Sequence, residues 1–146
     1  MNINKRFTIR CAVYLFLIKA NKLFLIQRKN TGWEDGKYGV PSGHLEENET
    51  VREAVFREAK EEAKIDIEKN KLKIVHIMHR KSNFDYIDLY FTIKNWKGEP
   101  TNAEEGKSDK YGWFSFDNLP NNTLTNIKVA FENYRNSILL SELGFS

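Results

Sequence analysis

Residues 50–65 read Thr-Val-Arg-Glu-Ala-Val-Phe-Arg-Glu-Ala-Lys-Glu-Glu-Ala-Lys-Ile. Thr50 and Glu53 stand at the spacing of a capping box, and no Gly or Pro interrupts the run that follows. This pattern predicts a helix over residues 51–63. At about 100° per residue, one stripe of that helix carries Val51, Ala54, Val55, Glu58, Glu62 and Ile65. The valines mark the stripe as inward, so two glutamates are predicted to face the interior.

The other side of the predicted helix is also apolar. A second stripe there consists of Phe56, Ala59 and Ala63. A helix that is apolar on two sides is normally sandwiched between layers. Glu58 and Glu62 are therefore expected in a crowded region, close to Glu61.

The three glutamates need a counter-charge if they face inward. Carboxylates spaced within about one helical turn repel one another, and a hard divalent cation is their usual partner. Magnesium takes one to a few carboxylates and completes its octahedral shell with water and substrate phosphate. The spacing therefore predicts a magnesium or manganese site with open coordination positions. The alternative is a solvated acidic face, relieved by the neighbouring Arg57, Lys60 and Lys64.

The residues before the helix fit the same chemistry. Residues 41–44, Pro-Ser-Gly-His, are predicted to form a turn leading to the helix N-terminus, where a backbone carbonyl can complete a metal shell. Arg28, at the end of a predicted strand, can bind a phosphate through its guanidinium group or can be a plain strand-end charge. Arg57 and Glu49 can pair and so tie the loop to the helix.

The rest of the chain is predicted to complete a mixed α/β domain. Strand patterns rich in β-branched and aromatic residues cover residues 7–18, 23–28, 72–81, 84–96 and 111–116. In the turn between the first two strands, Asn21 tolerates a positive φ. A terminal amphipathic helix is indicated by the spacing of Ile127, Ala130, Phe131, Tyr134 and Ile138.

Length and composition exclude several classes of protein. A chain of 146 residues, 40% of them hydrophobic and 13% aromatic, has room for one domain with a packed core. Its net charge of +3 is too balanced for a dedicated nucleic-acid binder, although Arg80 and Lys81 extend a small basic patch. The longest apolar run, residues 11–18, is too short to span a bilayer. The lone Cys11 excludes an internal disulfide and fits a reducing compartment, so a soluble cytoplasmic protein is expected.

Residues 43–65 resemble the Nudix box. The family pattern is Gly-x5-Glu-x7-Arg-Glu-U-x-Glu-Glu-x-Gly-U, where U is apolar, and every charged position of it is present between Gly43 and Ile65. The second glycine of the pattern is Lys64 here. That glycine usually forms a left-handed helix cap, which costs another residue about 1 kcal/mol. Gln27-Arg28, Trp33 and residues 39–46 also resemble members of the family.

The resemblance implies a fold and a reaction. The fold is an α/β/α sandwich around a mixed β-sheet, with residues 1–146 as one domain. The reaction is hydrolysis of a phosphoanhydride bond in a nucleoside diphosphate linked to another moiety, with Mg²⁺ as cofactor and Mn²⁺ as a substitute. The implied metal ligands are Glu58, Glu61, Glu62 and the carbonyl of Ser42. Glu49 would support the metal shell, and Arg57 would orient the glutamates.

The general base and the substrate-binding residues have weaker signals. The base varies within the family, and the candidates are a glutamate of the box, Glu104 and Glu105. Trp33 lies in a polar, glycine-rich loop and is a candidate for stacking on a nucleobase, while Asn102 and Lys107 can meet a base edge or a phosphate. Other aromatic residues that can either stack or belong to the core are Phe84, Tyr86, Trp96 and Trp113.

These residues leave several functions open. The first hypothesis is hydrolysis of a (d)NTP or a damaged nucleotide to the monophosphate and pyrophosphate. The alternatives are hydrolysis of a dinucleoside polyphosphate or a nucleotide sugar, and a non-catalytic nucleotide-binding module. A homodimer is consistent with the family, although no helix face indicates an interface. Nucleic acid and membrane are not expected as partners.

Overall fold

A mixed β-sheet forms the framework of residues 5–102 and 110–146, the parts of the chain that the computed structural model describes. The elements in chain order are β1 (Arg10–Lys19), β2 (Lys22–Gln27), β3 (Tyr38–Gly39), β4 (Ser42–His44), α1 (Val51–Ala63), a 3₁₀ turn (Lys69–Lys71), β5 (Lys73–Lys81), β6 (Asp85–Ile93), β7 (Tyr111–Ser115), α2 (Thr125–Arg135) and β8 (Leu140–Leu143). The predicted helix over residues 51–63 is therefore confirmed.

The strands are ordered β3-β2-β1-β6-β5-β8, with β4 paired to β1 and β7 paired to β2. β1 and β6 are parallel, as are β5 and β8, whereas the other pairs of strands are antiparallel. β1 lies beside β2, β4 and β6, and its central residues are buried on both faces. A strand buried on both faces has an almost continuous apolar sequence, as β1 has.

The two faces of the sheet each carry one helix. Alternate residues of β1 point to opposite faces. Val13, Leu15 and Leu17 join the apolar core beneath α1, whereas Ala12, Tyr14 and Phe16 join the core shared with α2. The predicted α/β/α sandwich around a mixed sheet is therefore confirmed.

Helix α1 begins at the predicted capping box, and its end keeps a left-handed cap although Lys64 replaces the family's glycine. Thr50 and Glu53 form a complete capping box at its start. Lys64 caps its end in the left-handed conformation, with φ 59° and ψ 37°. This is the conformation expected for the glycine of the Nudix box, so the lysine keeps the geometry of the cap.

The prediction of two separate apolar sides on α1 was wrong. Ala59 and Ala63 are fully buried in the same core cluster as Ala54 and Val55. The two stripes are therefore the two halves of one broad face that covers the sheet. Glu58 and Glu62 are half-buried within this face.

Short elements differ most from the predictions. Residues 42–44, predicted as part of a turn, form β4, which pairs with Ala12–Tyr14 of β1. Strand β6 ends at Ile93 rather than at residue 96. Helix α2 ends at Arg135, since Ser137 adopts a positive φ of 58°, and Ile138 is exposed outside it. In the described part of the chain, neither α1 nor α2 is long and apolar enough to cross a membrane.

Candidate active site

The second half of α1 packs its glutamates against the backbone of β4. The peptide N–H of Ser42 donates a hydrogen bond of 2.6 Å to Oε1 of Glu62. Gly43 lies under the carboxylate of Glu58, and a Cβ at this position would overlap with that carboxylate. The absence of a side chain at Gly43 therefore makes the space that Glu58 occupies. The carboxyl groups of Glu58 and Glu62 are close enough to influence each other, so the two groups are neighbours.

Arg57 links this pair to the loop before the helix. Its Nε donates to Oε2 of Glu49 at 2.7 Å, and its Nη2 donates to Oε1 of Glu49 at 3.0 Å and to the carbonyl of His44 at 3.1 Å. Its Nη1 contacts Oε1 of Glu58 and lies 3.5 Å from Oε2 of Glu61. The guanidinium thus contacts Glu49 in the loop before α1 and Glu58 and Glu61 within the helix. The predicted pair of Arg57 and Glu49 is present in the structure.

The protein environment shifts the proton affinities of these groups in different directions. Burial raises the pKa of Glu58 above its usual 4.5, and the charge of Glu61 adds to the rise, although the hydrogen bond and the charge of Arg57 oppose it. The hydrogen bonds from Arg57 lower the pKa of Glu49 below the same value. The bonds to Glu49 also raise the pKa of Arg57, which keeps this guanidinium charged.

Glu58 and Glu62 offer oxygen ligands to a small hard cation, whereas Glu61 lies apart from them. Two adjacent carboxylates and nearby backbone carbonyls are oxygen ligands of the kind that magnesium prefers. The space at Gly43 lets the carboxylate of Glu58 lie directly on β4. Among the described residues, however, no three His, Cys, Asp or Glu side chains converge as a complete ligand set. The carboxylate of Glu61 is 57% exposed and lies beside Arg57.

A cleft of about 500 Å³ adjoins these glutamates. Ser42, Gly43 and Glu62 form one part of its wall, and the predicted substrate residues Arg28, Trp33 and Asn102 all line it. The structure therefore brings Gly43 and Glu62 of the box to one cavity with the three substrate candidates, whereas Glu58 and Glu61 do not line it. Their roles stay predictions.

The loop that carries Trp33 is organised by Arg28. Nε of Arg28 donates to the carbonyl of Trp33 at 2.9 Å, and Nη2 donates to Oγ1 of Thr31 at 3.1 Å. The guanidinium carbon of Arg28 lies 5.0 Å from the centre of the Trp33 ring. Both of these acceptors are neutral, and the carboxylate of Asp35, which accepts from Thr31, lies close enough to interact with the Arg28 charge.

The other aromatic candidates separate into two groups. Phe84 and Tyr86 line the cleft. Trp96 and Trp113 stack on each other with ring centres 6.1 Å apart and pack against the core beneath α1, so they do not line it. Glu104, Glu105 and Lys107 lie outside the described residues.

The cleft also contains a buried ion pair that sequence reasoning missed. Arg80, predicted as part of a surface patch, is 8% exposed and pairs with the fully buried Asp88. The sequence does contain a signal that Asp88 is buried. Asp88 lies two residues before Tyr90 on β6, so both side chains must face the same side of the sheet. An aspartate on an inward face requires a partner, and Arg80 on the neighbouring strand provides it.

Comparisons with known proteins identify the family of this chain. The family model described as NUDIX domain matches residues 8–134. An ADP-ribose pyrophosphatase of Methanocaldococcus jannaschii is 34% identical over 115 residues, which are 78% of this chain and 62% of that protein. An 8-oxo-dGTP diphosphatase of Proteus vulgaris is 32% identical over 83 residues, 57% of this chain and 73% of that protein. The chain therefore spans less than two thirds of the length of the archaeal relative.

Solved structures support the same assignment. The crystal structure of a MutT NUDIX hydrolase from Burkholderia pseudomallei superposes with a TM-score of 0.78 and 25% identity, over 86% of this chain and 97% of that one. The MutT protein from Methanosarcina mazei has the same fold, with a TM-score of 0.77 at 18% identity, over 91% of this chain and 97% of that one. Because the family model covers most of the sequence, this chain belongs to the NUDIX hydrolase family.

Proposed function

We propose that this protein hydrolyses a phosphoanhydride bond in a nucleoside diphosphate linked to another moiety, with magnesium as its cofactor. The observation that carries the proposal is the pair of half-buried carboxylates, Glu58 and Glu62, seated against β4 beside the cleft. Two neighbouring carboxylates without a cation between them repel each other, so the arrangement favours binding of a divalent ion.

In this proposal the glutamates of α1 and the Ser42 carbonyl hold the ion. A bound divalent metal lowers the pKa of a coordinated water and neutralises charge on phosphate oxygens. Manganese has similar ligand preferences and would substitute for magnesium. Arg57 and Glu49 act as positioning residues, because their bidentate contact fixes the guanidinium that touches Glu58. In this proposal Arg28, which lines the cleft, neutralises a phosphate of the substrate.

The proposed substrate is a (d)NTP or a damaged nucleotide, which would give the monophosphate and pyrophosphate. The relative named 8-oxo-dGTP diphosphatase supports this choice. The relative named ADP-ribose pyrophosphatase supports a second candidate, a nucleotide sugar, and a dinucleoside polyphosphate would use the same ion and the same glutamates. A binding module without catalysis is the remaining alternative.

The test is a panel of nucleoside triphosphates, oxidised nucleotides, ADP-ribose and dinucleoside polyphosphates, with and without magnesium. We expect release of phosphate or pyrophosphate from at least one compound only when the metal is present. Glu62→Gln should lower kcat by at least about 100-fold, since it removes a charged ligand of the ion. Glu47→Gln is the matched control, because Glu47 is an exposed glutamate of the preceding loop. An active Glu62→Gln variant would refute the ligand set, and an inactive wild type would favour the binding module.

We further propose that the whole chain is a single domain in the cytoplasm and that it acts as a monomer or homodimer without nucleic acid. The lone Cys11 and the near-neutral charge balance support this view. Analytical ultracentrifugation measures the oligomeric state directly.

A further inference from the structure

Arg80 on β5 and Asp88 on β6 form a buried ion pair on the side of the sheet that faces the cleft. Nε of Arg80 donates to Oδ2 of Asp88 at 2.6 Å, and Nη2 donates to Oδ1 at 3.3 Å. Asp88 is fully buried, whereas Arg80 is 8% exposed and lines the cleft. The carboxylate therefore lies behind the guanidinium as seen from the cavity.

The contacts of Arg80 leave some of its donors available. The guanidinium group has five N–H groups. Nε and Nη2 contact Asp88, and Nη2 also lies 3.5 Å from the hydroxyl of Tyr14. Nη1 has no hydrogen-bond partner among the residues that the structure describes. It is not fully buried, so it is accessible from solvent. Its two N–H groups can therefore reach a ligand in the cleft.

Stability alone does not explain this ion pair. Replacing a buried ion pair with apolar residues of similar volume is often neutral or stabilising. The pair does fix the guanidinium, which also lies over the Tyr86 ring with its carbon 4.2 Å from the ring centre. Since Asp88 compensates the charge of Arg80, the pair offers directional donors rather than net positive charge.

The rest of the cleft supplies what a nucleobase needs near these donors. Tyr86 and the exposed Phe84 line the cleft on the same β5–β6 hairpin, and each ring has a guanidinium over one face, Arg80 over Tyr86 and Arg10 over Phe84. The opposite face of either ring is the surface on which a base can stack. Arg28 and Lys29 also line the cleft, and neither is paired with a buried acid among the described residues. A phosphate is better suited to cations at the surface of the cleft, whereas a neutral carbonyl is suited to a guanidinium whose charge a buried carboxylate compensates.

We propose that Arg80 is a specificity-determining residue whose Nη1 donates to a ring carbonyl oxygen of the substrate's nucleobase, with Asp88 as its positioning residue. The inference rests on the proposed function, because it assumes that a nucleotide occupies the cleft. Guanine, hypoxanthine and uracil carry such an oxygen, whereas adenine has an amino group where guanine and hypoxanthine have the oxygen. The protein should therefore prefer oxo-bases to adenine.

Binding of ITP and ATP by calorimetry tests this preference, because the two nucleotides differ at the 6-oxo and 6-amino positions. The measurement uses the Glu62→Gln protein with magnesium, so that turnover does not interfere. We expect ITP to bind about 10- to 100-fold more tightly than ATP, the range of a hydrogen bond to a charged donor. In Arg80→Met/Asp88→Leu, which removes both charges together and so leaves no unpaired buried ion, the ratio should fall to about one.

The matched control is Arg135→Met/Asp117→Leu, which removes an Arg–Asp pair beside a Phe116 ring outside the cleft. It should keep the preference for ITP. Equal binding of ITP and ATP by the protein that retains Arg80 would overturn the proposal. An equal weakening of both nucleotides in Arg80→Met/Asp88→Leu would also overturn it, because that result indicates a contact with phosphate. Hydrolysis by the wild type is measured separately, so a failed base preference is distinguishable from a failed proposed function.

Discussion

The contact between Gly43 and Glu58 gives a sharp prediction about the site. A methyl group at residue 43 would overlap with the Glu58 carboxylate, so Gly43→Ala must displace that side chain. The backbone at Gly43 has no positive φ, and alanine is therefore compatible with its conformation. The substitution tests the position of one carboxylate and leaves its charge unchanged.

The magnitude follows from the size of the overlap. The atoms that must move belong to the end of a flexible side chain, so the protein should fold with a loss of about 1–3 kcal/mol in the free energy of unfolding. The carboxylate must shift by about 1 Å or more, and a misplacement of that size costs catalysis about 100-fold. We therefore expect a moderate loss of stability together with a large loss of kcat/KM.

Urea unfolding and steady-state hydrolysis of the best panel substrate measure the two effects. Gly112→Ala is the control, because a Cβ there meets only an ordinary contact with Phe114 at 3.9 Å. If Gly43→Ala acts through Glu58, the double variant Gly43→Ala/Glu58→Gln should be no less active than Glu58→Gln alone. A Gly43→Ala protein with the activity of the wild type would refute the reasoning, as would additive losses in the double variant.

Two further predictions concern the ends of α1. Lys64→Gly should raise the free energy of unfolding by about 1 kcal/mol, because Lys64 holds a left-handed φ of 59°, and an unchanged urea midpoint would contradict this. Glu49→Gln should be less stable than wild type at neutral pH. Since its bonds to Arg57 lower the folded pKa of Glu49 below 4.5, their contribution is present above pH 4.5 and is lost as the pH falls through the folded pKa. The stability difference between the two proteins should therefore disappear in acid, and a difference that persists there would exclude the ion pair as its cause.

Local patterns predicted α1 and its N-terminal cap because those features depend on neighbours in sequence. The capping box needs only Thr50 and Glu53, and the inward position of Glu58 and Glu62 follows from the helical period. Both can be read without knowing what the helix packs against. The left-handed cap at Lys64 stands where the family has its glycine, but the sequence left the shape of this junction open, and the structure shows that lysine keeps the cap.

Features that depend on distant partners could not be predicted in the same way. Strand β4 has only three residues, too few to show the alternation of polar and apolar residues that indicates a strand. It forms because it pairs with β1. Whether Trp33 or Trp96 lines the cleft depends on which loop meets which face of the sheet. Arg80 resembles a surface charge in sequence, and only the register of β5 with β6 sets it against Asp88.

The charge balance around Arg57 explains why the position of one carboxylate should matter so much. Glu46, Glu49, Glu58 and Glu61 all approach this guanidinium within 4 Å, with Glu62 beside Glu58. One positive charge therefore faces several negative ones, in a chain whose net charge is +3. Glu49 holds Arg57 bidentately and fixes it, whereas Glu58 and Glu61 each touch a single nitrogen. A divalent ion on α1 would share these two glutamates with Arg57 and would balance the charge that Arg57 alone leaves uncompensated.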